Sequence, residues 1–115
     1  MALEERILTT SYVADGVVGQ FRILVASTTR ERGCAVATAA AKSIGISRNK
    51  VDGAGKAVTV VHGGIAKVVA GAPVTIGAEV TSDANGAAVP GSTNPIGTAI
   101  TAAAAAGVIL EVRLR

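Results

Sequence analysis

Aromatic residues are almost missing from this chain. Its 115 residues include one Phe, one Tyr and no Trp. Proteins that grip single-stranded nucleic acid interleave aromatic stacking platforms with cations. Phe21 and Tyr12 cannot supply such platforms, and the basic residues are scattered rather than clustered. Direct nucleic-acid binding is therefore not expected, despite a formal net charge of +3.

Cysteine is equally scarce. Cys34 stands alone, which excludes a disulfide framework and a thiolate metal cage. With one His as well, metal ligation has little to draw on, and neither a metal nor a cofactor is expected. Cys34 reads as a small buried hydrophobe. No apolar run is long enough to cross a bilayer, which takes about 20 residues; the longest covers residues 100–110. Glu4 and Glu5 stand where a signal peptide would carry cations. The expectation is a product of the cytosol with no membrane partner.

What the chain does have is Val, Ile and Leu padded with Ala and with 14 Gly. Ordering the backbone costs about 1–2 kcal/mol per residue, and each alanine returns little buried area. A lone monomer would be thinly supported, so help from an oligomer or a host surface is expected. The basic excess is confined to the first half. Residues 1–62 hold eight Lys/Arg against five acids, and residues 63–115 hold three against three.

The most informative positive feature is an internal repeat. Ile44-Gly45, Gly55 and Val60 recur as Ile96-Gly97, Gly107 and Val112, at a constant offset (97 − 45 = 52). With one residue inserted, Gly33-Cys-Ala-Val36 pairs with Gly86-Ala-Ala-Val89. Two units thus cover about residues 20–62 and 74–114. Two repeats are too few for a solenoid, so a small pseudo-symmetric barrel or sandwich is expected, each half covering the open face of the other.

The punctuation is that of a β protein. Residues 21–26 form a strand candidate rich in β-branched residues. Residues 57–62 and 65–70 flank Gly63-Gly64, which reads as a tight two-residue hairpin loop. Pro73 marks a further turn, and residues 83–86 end another in Asn-Gly. The final segment alternates, with Val108, Leu110, Val112 and Leu114 on one face and Ile109, Glu111, Arg113 and Arg115 on the other. Gly45, Gly55, Gly63, Gly64, Gly86, Gly97 and Gly107 are assigned turn duties. Residues 35–42 and 102–106 favour helix by composition, yet both are short and read as connectors or single helical turns. Residues 1–12 lack glycine and mix charge with Leu3, Ile7 and Leu8. They read as an N-terminal arm or a first strand preceding a single β domain over residues 13–115.

Tempting catalytic motifs dissolve on inspection. Ser47, Asp52 and His62 share residue types with a catalytic triad, but no G-x-S-x-G elbow surrounds Ser47. The run Asp52-Gly-Ala-Gly-Lys56 suggests a phosphate loop, yet Ala57 stands where Ser or Thr would hold magnesium. Residues 83–86 faintly suggest a calcium loop but lack the later glutamate; Ser92 occupies its place. A carrier domain presenting Lys50 or Lys56 on a hairpin tip is an alternative, as is a ligand-binding module or a cryptic hydrolase. Neither lysine has the flanking residues that such carriers show.

The order of these elements resembles the capsid decoration, or cement, proteins of tailed bacteriophages. The resemblance rests on Gly45-Ile46, Ala54-Gly55 with Ala57-Val-Thr-Val60, and Gly64-Ile-Ala-Lys-Val68. It continues through Val80-Thr-Ser-Asp-Ala-Asn-Gly86, Ile96-Gly-Thr-Ala-Ile-Thr101 and Gly107 to Val112. It implies a non-enzymatic β-rich virion protein, made in the bacterial host cytoplasm and carried on the outer capsid surface. It further implies a homotrimer whose partner is the major capsid protein. Leu3, Arg6, Ile7 and Leu8 of the arm are the candidate capsid contacts.

Overall fold

A computed structural model describes residues 8–114. Among these residues there is no helix; ten strands run in the order β1 (Leu8–Ala14), β2 (Ile23–Ala26), β3 (Gly33–Val36), β4 (Gly45–Ser47), β5 (Ala57–Gly63), β6 (Ile65–Val69), β7 (Glu79–Ser82), β8 (Ala88–Pro90), β9 (Gly97–Ala99) and β10 (Ile109–Leu114). The all-β expectation holds, and the alanine-rich segments are connectors. Strand β1 begins at Leu8, opposite Gly63 of β5, and pairs with β5 as far as Val13. A boundary drawn after residue 12 therefore falls inside a strand.

The two halves share one winding. The first five strands close a barrel in the order β1-β3-β2-β4-β5, with β1 and β3 parallel. The last five form a sheet ordered β6-β10-β9-β7-β8. Strand for strand this is the same circuit, cut between β6 and β8, where one parallel bridge from Ala70 to Ala88 remains. The repeat extends further upstream than the glycine pattern indicates. The reciprocal bridge Val18–Val51 recurs as Val74–Ala103. Gly55 donates its amide to Ala14 at 2.9 Å, and Gly107 donates to Ala70 at 2.8 Å. Asn49 Oδ1 accepts the Thr59 amide at 2.8 Å, and Thr101 Oγ1 accepts the Glu111 amide at 2.9 Å. The offset is 56 for β2 and β7 (79 − 23), falls to 54 for Cys34 and Ala88 (88 − 34), and settles at 52 from β4 onward (97 − 45).

Period-two alternation fills each interior. Ala14, Val18, Leu24, Cys34, Val58 and Val60 pack inside the first barrel. Their counterparts Ala70, Val74, Val80, Ala88, Leu110 and Val112 pack inside the second half. Volumes compensate between the copies: Leu24 becomes Val80 while Val58 becomes Leu110.

The halves join head to tail, without a two-fold axis between them. Ile23, Ile46 and Val61 are cross-strand neighbours on the outside of the first barrel. All three are buried and belong to the core cluster of the second half. Burying such side chains stabilises by about 1.5–3 kcal/mol each. The same row in the second half reads Glu79, Thr98 and Arg113. Its polar, partly exposed character ends the series, as terminal caps do in repeat proteins.

The joint also explains the cut in the second circuit. In the first half the Val13 amide donates to the carbonyl of Arg32 at 2.8 Å and closes the β1–β3 seam. The equivalent Val69 amide donates instead to Phe21 at 3.0 Å, and the Gly86 carbonyl accepts from Ile23 at 2.7 Å. The segment Phe21–Ile23 is thus wedged between β6 and β8. Gly86 has φ +76°, and a Cβ there would press on Val36 and the Ile23 carbonyl. No larger residue fits at the wedge.

Candidate functional site

The residues with catalytic potential all have structural duties. Ser47 is fully buried; its hydroxyl donates to the Gly19 carbonyl at 2.6 Å and accepts the Arg22 amide at 3.0 Å. Asp52 pairs with Lys56 at 2.6 Å on the surface. His62 Nε2 lies 2.7 Å from Thr10 Oγ1 across the β1–β5 ladder. The three residues are not brought together around a reacting centre. Burial, reinforced by the charge of Asp15, pushes the Cys34 thiol above its ordinary pKa, the opposite of what a nucleophile needs. Asp83 Oδ1 accepts the amides of Asn85 and Ala87 at 2.8 and 2.9 Å, which makes residues 83–87 a self-bonded turn. Among the described residues no three His, Cys, Asp or Glu side chains gather as a metal site.

The glycines divide into two kinds. Gly55, Gly86 and Gly107 sit in turns with positive φ. Gly45 and Gly97 are not turn residues. Each lies in a short strand, β4 or β9, where a Cβ would collide with the carbonyl of the adjacent strand, at Val61 and Arg113 respectively. Gly63-Gly64 does not close a hairpin either. Strand β5 pairs with β1 and β4, and β6 pairs with β10, so this step carries the chain from the first half into the second. Gly64 takes φ +86° there, which explains the residue type without a hairpin.

Of the predicted arm contacts, Leu3, Arg6 and Ile7 lie outside the described residues, and Leu8 opens β1. Just beyond, one end of the first barrel gathers polar recognition groups beside Tyr12, which packs against the interior cluster. The Arg32 guanidinium stacks 5.3 Å from the centre of the Tyr12 ring, and Tyr12 meets His62 edge-on at 6.2 Å. Arg30 and Arg32 also donate to the carbonyls of Ala14 and Ser11, each at 3.2 Å. Lys42, Arg48, Lys50 and Lys56 add exposed cations to the same half.

The repeat supplies an internal control for what an exposed position in this fold carries. In the first half Gln20, Arg48, Lys50, Asp52, Lys56 and Ala57 are exposed. Their counterparts Ile76, Ile100, Ala102, Ala104, Val108 and Ile109 are exposed as well, and every one is apolar. Ile76 keeps 71 % of its surface and Ile109 keeps 48 %. The patch is continuous: Ile76, Ala102 and Ala104 line one open groove, and Ala102 also lines a second with Ile109 and Phe21. Contiguous exposed apolar surface of this kind marks an interaction site. Sequence reasoning missed it. Ile109 sat conspicuously on the charged face of the last strand, but the contrast with the first half emerges only once the 52- and 56-residue registers are known.

Comparison with known proteins completes the description. No protein family and no curated sequence matches the chain. Solved structures do match. One is the head fiber gp8.5 N base in bacteriophage phi29, with a TM-score of 0.79 over 96 % of this chain and 95 % of that one, at 20 % sequence identity. The fold is shared over nearly the whole of both chains.

Proposed function

We propose that this chain is a structural virion protein that binds the outside of a bacteriophage capsid and stabilises the expanded shell, acting as a homotrimer on the major capsid protein. The observation that carries the reading is the near-complete fold match to the base of a phage head fiber. It converges with the sequence resemblance to decoration proteins, which was drawn from different features. Catalysis has no part in this reading: Ser47, Asp52 and His62 each serve neighbouring groups.

The cation-rich exterior of the first half is the face assigned to the capsid. Its Arg and Lys side chains would steer the protein to an acidic shell and speed encounter. Residues 1–7, with Leu3, Arg6 and Ile7, extend this contact, and backbone pairing to a shell strand would tolerate varied sequence.

Co-sedimentation with expanded empty heads tests the reading. The purified protein is expected to pellet saturably with heads and to raise the temperature at which they rupture. Failure to pellet at any concentration rejects the function. Removing residues 2–7 tests the arm separately, with far-UV circular dichroism of the truncation verifying that the fold persists. Unchanged head binding by that truncation rejects the arm alone.

A further inference from the structure

We infer that the apolar face formed by Ile76, Ala102, Ala104 and Ile109, with the exposed Val108 next to it in the chain, is the contact surface for a second copy of this chain. The inference deepens the homotrimer part of the reading above, on which it rests, by naming the surface through which copies meet. Three observations lead to it.

The first is the asymmetry between halves. The same exposed positions carry Gln20, Lys50, Asp52, Lys56 and Ala57 in the first half, so the fold does not require apolar residues there. Their consistent replacement in the second half has no use in the chain's own core.

The second is the charge at the rim. Lys67 and Glu111 are cross-strand partners in the β6–β10 ladder, and both line the groove that holds Ile109. A rim with both signs is self-complementary. In a ring of three, the Glu111 side of one copy faces the Lys67 side of the next, so each sign meets its opposite around the axis. A shell surface of one sign would meet repulsion at one of the two; the first half, with its excess of cations, is the face suited to that partner.

The third is the precedent inside the molecule. The outward row Ile23, Ile46 and Val61 is an apolar exterior of this fold, and a unit of the same fold covers it. Phe21 links the two surfaces, since it belongs to the wedge at the joint and lines the groove beside Ile109.

The test is sedimentation velocity of the intact chain across a wide range of concentration, in the absence of heads. The variant Ile76→Gln/Val108→Lys/Ile109→Lys copies Gln20 and Lys56 at its first two positions and adds a charge at the third, where the first half has Ala57. All three positions are exposed, and far-UV circular dichroism with a thermal melt verifies that the fold persists. The wild-type protein is expected to self-associate, and the variant to weaken association at least about tenfold. A matched variant on the first half, Arg48→Ile, is expected to leave association unchanged. An oligomeric variant as tight as wild type overturns the assigned surface while leaving the homotrimer in place. A wild-type chain that stays monomeric throughout overturns the inference. Loss of head co-sedimentation by the triple variant, with wild type monomeric, would assign the patch to the shell and also overturns it. Capsid attachment is read independently in the head-binding assay.

Discussion

Ile23 and Glu79 occupy the same position in two copies of one folding unit, yet Ile23 is buried by the second half and Glu79 lies at the surface. The neighbouring pairs behave alike: Ile46 against Thr98, and Val61 against Arg113. One row is a docking face and the other a terminus. Ile46→Ala is expected to lower stability by about 2–5 kcal/mol, the range for large-to-small core changes, measured by urea denaturation. Conversely, Glu79→Ile/Thr98→Ile/Arg113→Val would expose a fresh apolar row. Its expected consequence is association beyond that of the parent chain, read as greater light scattering at equal concentration.

Gly97→Ala and Gly45→Ala probe the close approach of short strands to β10 and β5. Each added Cβ meets a backbone carbonyl, which cannot swing aside as a flexible side chain can. A loss of about 3 kcal/mol is expected for each, at the upper end for overpacking. Gly53→Ala is the matched control, with open space around its Cβ position and an expected change within about 0.5 kcal/mol. Chemical denaturation of the three variants distinguishes them.

Ser47→Ala removes the hydroxyl that joins the Gly19 carbonyl to the Arg22 amide. Both backbone groups then lose a partner at a buried site, at an expected cost of about 1–3 kcal/mol. Head binding per folded molecule is expected to remain as in wild type.

Cys34 gives the stability a pH dependence of known sign. Its folded-state pKa is raised by burial, then by Asp15, so the native thiol keeps its proton where the unfolded one, with a pKa of about 8.5, releases it. The folded state then binds more protons than the unfolded state, and stability falls as pH rises through the unfolded value toward the folded one. Cys34→Ala, which copies Ala88 of the second half, is expected to flatten that decline. A thiol reagent at mildly alkaline pH should modify wild type only after denaturation.

Some of this architecture was legible in the sequence, for identifiable reasons. The alternation from Leu110 to Leu114 declares a half-buried strand because its period is set by the pleat alone. The pairs Gly55–Gly107 and Ile44–Ile96 betray the duplication because the loops between β4 and β5, and between β9 and β10, are equal in length. Upstream, the turn between Ser27 and Gly33 is two residues longer than that between Asp83 and Ala87, so the register drifts and the eye loses it. Gly63-Gly64 was misread because turn chemistry is local, whereas partner choice is a property of whole sheets. The apolar face escaped because single exposed isoleucines are unremarkable until each is set beside its counterpart.

The wedge at Phe21–Ile23 makes seam closure one-directional, although the row Ile23, Ile46 and Val61 of the first half still takes its cover from the second. The first barrel closes its own seam through Val13 and Arg32 and needs nothing from the later sequence to do so. The second circuit has its seam filled by residues that precede it in the chain. During synthesis, which delivers the N-terminal unit first, the early half can fold as soon as it leaves the ribosome and then serve as the template on which the late half assembles. Duplication here has produced a founder and a dependant rather than two equals.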